Sequence, residues 1–314
     1  MISKKIFLMF LIIIPVLPVF TESEIDSKTS MKLAISSLPE AKLTFSQDFK
    51  VPFMQGEGML VSGNNIKFGL DAEITPISMG LLGRAVFTPI AFLEFSAGGM
   101  IGSGWNIELF GSEVRGIGIN VSDTGKTSVD GSAFDGAFLG SWFGGAFQFD
   151  TGAVFPGDWN HVLIRTSHEL SCRMYSRAGA DDPWFFESDH GENQNGWNYL
   201  GTYILGYQLP LFLNTVAFQA EMFKYLYDTP ESGQWGGAKG RWDFGLIMNF
   251  SFTERFSTML VTQFRLYRNY ENFEYGIKDK DNPDYNRYYR ERILDDGRTL
   301  KFYRVAAIMN YKLR

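Results

Sequence analysis

The chain of 314 residues carries a net charge of -6 at pH 7 and has no basic stripe, which argues against a nucleic-acid-binding protein. Its single cysteine, Cys172, excludes an internal disulfide. Hydrophobic residues make up 45% of the chain, yet the mean hydropathy is only -0.10. With 16% aromatic residues and 33 glycines, this composition favours an exported protein whose strands alternate apolar and polar residues.

An export signal is predicted at residues 1–22. Lys4 and Lys5 precede a short apolar run, and Pro15 and Pro18 interrupt that run before the chain turns polar. The run is too short for a membrane-spanning helix, so a cleaved secretory signal is expected. Residues 23–40 are expected to form an N-terminal periplasmic segment, and residues 41–314 are expected to form the main domain.

Ten strands are predicted from a period of two, because successive side chains of a strand point to opposite faces. The clearest pair lies within 241–267, where two alternating runs flank the polar break Thr253-Glu254-Arg255, as in a hairpin. Each run has about the ~9–11 residues that a tilted strand needs to cross a bilayer. In chain order, the predicted strands are 41–53, 65–76, 84–109, 134–149, 160–176, 199–209, 216–226, 242–252, 256–266 and 303–313.

The predicted connections alternate in length. Short ones are expected near 77–83, 155–158, 210–214 and 253–255, and long ones near 54–64, 110–133, 177–197, 228–240 and 268–299. Short turns on one side, long loops on the other and an even strand count predict an antiparallel transmembrane up-and-down β-barrel. The barrel must close, because open strand edges cannot sit in lipid. If the Gly98 region is a turn and residues 31–38 add a strand, the count becomes twelve.

The chain at this point resembles the bacterial outer-membrane β-barrel class over about residues 41–314. The resemblance rests on the export signal, the strand repeat and the last strand, from Tyr303 to Leu313. It implies an outer-membrane location, lipid around the barrel and insertion by the barrel assembly machinery. One departure is the C-terminus, Tyr311-Lys312-Leu313-Arg314, which lacks the terminal aromatic residue common in the class. The signal itself resembles spirochaete export signals.

If the large apolar residues face lipid, the other parity faces the lumen. That parity carries balanced charge, and such charges are expected to pair in a narrow interior because unpaired buried charge is costly. The predicted lumen residues are Lys42, Asp48, Lys50, Lys67, Asp71, Glu73, Glu94, Arg165, Glu169, Arg173, Glu221, Asp243, Arg265 and Arg304. His168 falls on the lipid parity, where a polar group is expensive, so either a bulge turns it inward or it faces a neighbouring subunit.

The sequence leaves two kinds of function open. Passive passage of small polar solutes through a narrow, porin-like lumen is the first hypothesis. The alternative is a closed structural barrel, or a surface adhesin that binds host ligands through its external loops. The loop at 268–299 carries exposed tyrosines of the kind that suit protein binding. The candidates are Tyr270, Tyr275, Tyr285, Tyr288 and Tyr289.

No enzyme activity is expected. Asp189 and His190, with several nearby acidic residues, are the nearest candidates for outer-membrane protease chemistry. The acidic pair that such chemistry needs on an early loop is missing, and no second histidine is near enough for a metal site. The sequence therefore predicts no catalytic residue, no metal site and no cofactor.

Overall fold

The computed structural model describes residues 25–38, 40–109, 112–119, 133–134, 136–179, 182, 184–187, 193–227, 236–270 and 294–313. The predicted export signal lies outside these residues and stays a prediction. Within the described residues, no helix is long and apolar enough to span a membrane.

Twelve antiparallel strands close into a single barrel in which each strand pairs with the next along the chain and the first pairs with the last. The predicted all-β up-and-down class is confirmed, and the count is the predicted alternative of twelve. The barrel strands are β1 (Asp26–Ser36), β2 (Ala41–Pro52), β3 (Asn65–Ile74), β4 (Ser78–Ile90), β5 (Leu93–Gly104), β9 (Phe138–Asp150), β10 (His161–Tyr175), β12 (Gly196–Gln208), β13 (Leu213–Tyr225), β14 (Arg241–Ser251), β15 (Phe256–Tyr270) and β16 (Leu294–Lys312).

Two small sheets lie in the connections. One pairs β6 (Asn106–Leu109) with β7 (Ser112–Arg115), and the other pairs β8 (Ile117–Ile119) with β11 (Trp184–Phe186). A short 3-10 helix, Thr151–Ala153, follows β9.

The count of ten was wrong at two places. Residues 26–36, expected in a periplasmic segment, form β1 and pair with both β2 and β16. The predicted strand 84–109 is interrupted by a turn at residues 91–92, whereas Gly98 lies inside β5. The turn pairs Ile90 with Leu93, and a register shift between Phe87 and Ile90 restores the parity of the alternation, so that Phe87 faces Phe95. The pattern of apolar residues therefore gave no sign of the turn.

The extra strands also change which connections share an end of the barrel. The end of the barrel at which β1 begins and β16 ends, here the terminal end, carries connections 53–64, 91–92, 151–160, 209–212 and 252–255. The opposite end, here the loop end, carries 37–40, 75–77, 105–137, 176–195, 226–240 and 271–293. The connection expected at 54–64 is long, as predicted, but it lies at the terminal end, away from the other long connections. The short connection expected near 77–83 is the turn 75–77, and it lies at the loop end. The remaining long connections do gather at the loop end.

The outward face of the barrel is apolar. Directly opposed residues of paired strands share a face, and large exposed apolar side chains occupy one such face around the barrel; they include Phe45, Phe68, Leu81, Phe143, Leu205, Phe218 and Leu246. The other face carries most of the charged residues of the barrel strands. An apolar outside around a polar inside is the arrangement of a transmembrane barrel.

A β-bulge reverses the direction of one predicted side chain. Gln263 faces Arg304, but the next residue, Phe264, faces Phe302, so Tyr303 is the extra residue of β16. Tyr303 was expected on the lipid face. It instead stacks on Arg265, on the lumen side, at 3.7 Å from guanidinium carbon to ring centroid.

Candidate functional site

The candidate site is the lumen wall, where the charged residues form separate groups. On β2, β3 and β4, Arg84 forms ion pairs with both Asp48 and Asp71. Gly69, directly opposite Arg84, leaves room for the guanidinium, because a Cβ at that position would meet it at 2.6 Å. One arginine therefore pairs with two carboxylates of the wall, and the group keeps one net negative charge.

A second group joins the wall to a loop. The Lys42 ammonium lies 3.2 Å from Glu73 and 3.1 Å from Glu187, which belongs to the connection 176–195. The hydroxyl of Ser78 donates to the same Glu187 carboxylate at 2.7 Å. Glu187 thus attaches its loop to the inner wall of β2 and β4.

A third group lies on β5, β9 and β10. Arg165 donates to Glu94 at 2.7 Å and to the amide oxygen of Gln148 at 2.6 Å. Glu169, two inward positions beyond Arg165 on β10, forms no ion pair with any described residue.

The fourth group is the most buried. Arg265 donates to both oxygens of Asp243, at 2.7 and 2.6 Å, and its side chain is only 7% exposed. Glu221 lies directly opposite Asp243 and accepts from the amide of Gln219 at 2.7 Å. The bidentate geometry fixes both side chains of the pair against the wall.

A fifth group lies where the first strand, β1, pairs with the last strand, β16. Arg304 forms an ion pair with Glu40, in the turn 37–40, at 2.7 Å. Its Nε donates to the amide oxygen of Gln263 at 2.6 Å. The hydroxyl of Ser36 also donates to Glu40, at 2.9 Å, so this pair ties the β1–β2 turn to β16.

Part of the loop end is filled by aromatic and apolar side chains from β8 and β11. Ile117 and Trp184 are 1% and 0% exposed, and they pack with Phe186 against the inward residues Phe138 and Tyr175. Phe186 stacks on Phe138 with centroids 4.7 Å apart. We call β8, β11 and Glu187 together the loop plug.

Arg173, a predicted lumen residue, contacts this plug. Its guanidinium lies over Phe138 at 5.3 Å and over Trp184 at 5.6 Å, in cation–π geometry. It also donates to the side chain of Asn193 at 3.0 Å. Arg173 therefore helps to hold the plug inside the barrel.

The plug approaches the wall closely at a glycine. Gly116 donates its N–H to the carbonyl of Trp105 at 3.0 Å and accepts from the N–H of Glu187 at 2.7 Å. A Cβ at Gly116 would overlap the carbonyl oxygen of Ile77. Only glycine permits this contact, which places Glu187 within reach of Lys42.

Five lysines line the remaining wall and have no such partners. They lie on the inward face of four adjacent strands and are exposed; we call the group of Lys28, Lys32, Lys50, Lys67 and Lys312 the lysine wall. Lys67 and Lys50 lie directly opposite each other near the terminal end.

The structure brings together only part of the predicted network. Glu94 contacts Arg165, Glu73 contacts Lys42 and Asp243 contacts Arg265, all among the predicted residues. The other partners were missed, namely Arg84, Glu40 and Glu187, together with Lys28, Lys32 and Lys312 of the lysine wall. Arg84 stood at the edge of a predicted strand, although its even number already matched the inward parity. Lys28 and Lys32 stood in the segment predicted to be periplasmic, and Glu187 belongs to a loop.

His168 lies on the outward face, as its parity predicted. No register shift occurs along β10, so no bulge turns it inward. Its Nδ1 is 2.6 Å from the hydroxyl of Tyr199, and its Nε2 is 3.2 Å from the hydroxyl of Thr166. Glycines Gly145 and Gly201 face it from the two neighbouring strands. The polar ring is therefore hydrogen-bonded on the lipid-facing side.

Several predicted candidates lie outside the described residues. They are Tyr275, Tyr285, Tyr288 and Tyr289, the side chain of Tyr270, and the pair Asp189 and His190. Among the described residues, no group of three or more His, Cys, Asp or Glu side chains is placed to hold a metal ion.

Comparison with known proteins gives fold-level likenesses alone. No family model and no curated protein matches the chain. Among solved structures, a KdgM porin is 9% identical with a TM-score of 0.37, covering 92% of this chain and 100% of that chain. A NanC porin is 6% identical with a TM-score of 0.40, covering 91% and 100%. OmpT, an outer membrane protein of Vibrio cholerae, is 7% identical with a TM-score of 0.33, covering 93% and 98%. The closed barrel is established by the strand pairing of this chain itself.

Proposed function

We propose that the protein is an outer-membrane channel for the passive passage of small polar solutes. The exposed apolar belt on the outward face supports a lipid environment, since a soluble monomer rarely exposes so large an apolar surface. The predicted export signal supports an outer-membrane location.

The observation that carries the proposal is the exposure of charged side chains on the inward face. Lys28, Lys32, Lys50 and Lys67 point into the barrel and are exposed to solvent. Side chains largely fill barrels of about 8 strands, and open aqueous channels come at about 16–18. Twelve strands with a solvent-exposed inner wall support a narrow, water-filled lumen.

Two features restrict the size of a passing solute. The loop plug occupies part of the loop end, beside β5, β9 and β10. The ion pairs of Arg165 and Arg265 hold large side chains on the inner wall, away from the plug. Passage is therefore proposed for small solutes.

Swelling of liposomes that contain the purified protein tests this proposal. The expected result is swelling with small uncharged polar solutes and none with large ones. Ser167→Trp places a large ring on the inward face of β10 and is expected to slow swelling. Thr166→Trp, the neighbouring outward position, is the matched control and should leave the rate unchanged. Equal rates in liposomes with and without the wild-type protein would refute the channel.

A closed barrel that acts through its external surface is the second candidate. The almost complete burial of Ile117 and Trp184 inside the loop end favours it. In this case the folded protein would not cause swelling, and function would lie in the loops. Deletion of 271–293, which removes most of the predicted tyrosines, would then abolish binding to a host surface. Unchanged binding would remove the adhesin hypothesis.

A further inference from the structure

The lysine wall has a charge that its surroundings do not balance. Its members lie on adjacent strands, with Lys312 on β16, Lys28 and Lys32 on β1, Lys50 on β2 and Lys67 on β3. None of these lysines forms an ion pair with a described residue, and each is exposed to the lumen.

Most of the nearby carboxylates are engaged elsewhere. Asp48 lies directly opposite Lys28 but pairs with Arg84, as does Asp71. Glu73 pairs with Lys42. Asp26, directly opposite Lys50, forms no ion pair with it. Arg84 and Lys42 each engage two carboxylates, and the negative charge that remains on these two groups and on Asp26 amounts to three charges, against the five positive charges of the wall.

The placement of Lys50 and Lys67 is unfavourable for stability alone. Directly opposed residues of paired strands have Cβ atoms about 4.5–5.5 Å apart, and like charges there are destabilising. An anion with more than one charged oxygen, bound between the two ammonium groups, would supply the opposite charge that both of them lack. Lysine ammonium groups bind phosphate as point charges, and basic residues line anion and phosphate pores.

We propose that the lysine wall binds multivalent oxyanions of the phosphate type and that the channel favours anionic solutes. The inference deepens the proposed function and rests on it for permeation, whereas binding to the wall requires only the folded barrel. Lys50 and Lys67 form the binding pair. Lys28, Lys32 and Lys312 extend the positive field along the wall, which raises the local concentration of anions.

Two measurements on the full, detergent-folded protein test this inference with inorganic phosphate as the probe. The first is the reversal potential and the current in a planar bilayer under a potassium chloride gradient, before and after phosphate is added. The second is the broadening of the phosphate signal in phosphorus NMR. The variant is Lys50→Gln with Lys67→Gln, and the matched control is Lys224→Gln, on the outward face of β13.

For the wild type and the control, we expect a reversal potential closer to the equilibrium potential of chloride than to that of potassium. Phosphate should reduce the chloride current severalfold. In the double variant, phosphate should reduce the current much less, and the reversal potential should shift toward the equilibrium potential of potassium. A conducting channel that prefers potassium and ignores phosphate overturns the inference while the proposed function stands. A barrel that does not conduct overturns the proposed function, and the NMR result then decides. Phosphate broadening that the double variant abolishes supports the binding site, and absence of broadening in the wild type refutes it.

Discussion

Arg265 is held between Asp243, which accepts two hydrogen bonds from its guanidinium, and the ring of Tyr303, whose centroid is 3.7 Å from the guanidinium carbon. The β-bulge at Tyr303 makes this stacking possible, because an unbroken strand would point the ring into lipid. The bulge thus converts a lipid-facing position into part of the buried lumen cluster.

Loss of the Tyr303 ring should destabilise the barrel. Tyr303→Ala removes a cation–π contact with a desolvated guanidinium and is expected to cost about 2 kcal/mol or more. Tyr303→Phe keeps the ring and should cost less. Reversible denaturant unfolding of the protein folded in detergent measures both values. Equal losses for the two variants would show that the ring does not support Arg265.

Release of the loop plug should enlarge the path through the barrel. Glu187→Gln removes the negative charge that pairs with Lys42 and leaves only an amide oxygen to accept from Ser78, so conductance is expected to rise. Glu73→Gln is the control, because it removes the other acidic partner of Lys42 and leaves Glu187 in place. Single-channel recording of the two variants beside the wild type checks this. An increase in both, or in neither, would contradict a plug held by Glu187.

The packing of Trp142 requires a glycine at position 98. A Cβ on Gly98 would overlap the Trp142 ring and lie 2.7 Å from the carbonyl oxygen of Gly83. Gly98→Ala is therefore expected to destabilise the barrel by about 1–3 kcal/mol, as overpacking does. At the adjacent Gly99, a Cβ would meet its nearest atom at 3.4 Å, so Gly99→Ala should be tolerated better. Denaturant midpoints of the two variants give the comparison, and a larger loss for Gly99→Ala would refute the packing argument.

The outward hydrogen bond between His168 and Tyr199 should contribute to stability in lipid. Hydrogen bonds between side chains in membranes average about 0.6 kcal/mol and reach about 1.7 in double-mutant cycles. A cycle of His168→Ala, Tyr199→Phe and the double variant, unfolded from lipid bilayers, should give a coupling in this range. Additive effects of the two substitutions would mean that the 2.6 Å contact has no energetic role.

The sequence predicted the class of fold because its signal is physical and repeated. A strand with lipid on one side must alternate apolar and polar residues, so the run from Trp242 to Phe252 revealed both the strand and its outward face. The same alternation does not reveal the turn at 91–92, because the register shift beside it keeps the parity, so this hairpin was missed. It also does not reveal a bulge, and the direction of Tyr303 was missed for that reason.

The candidate site was harder to predict than the fold. Parity placed Glu94 and Arg165 on one wall, and the structure brings them within 2.7 Å. Glu187 is different, because it reaches Lys42 through a loop that folds into the barrel, and no periodicity describes such a loop. The lysine wall includes β1, so its surplus of charge became visible when Lys28 and Lys32 were placed on the strand next to that of Lys50.

The single-channel conductance of the wild-type protein in a planar bilayer tests the central claim, a water-filled lumen, most directly. The predicted result is steady openings whose amplitude changes when Arg165 or Arg265 is replaced, because both side chains line the wall. A protein that is folded and inserted but never opens would contradict the claim. The barrel would then be closed by its plug and its ion pairs.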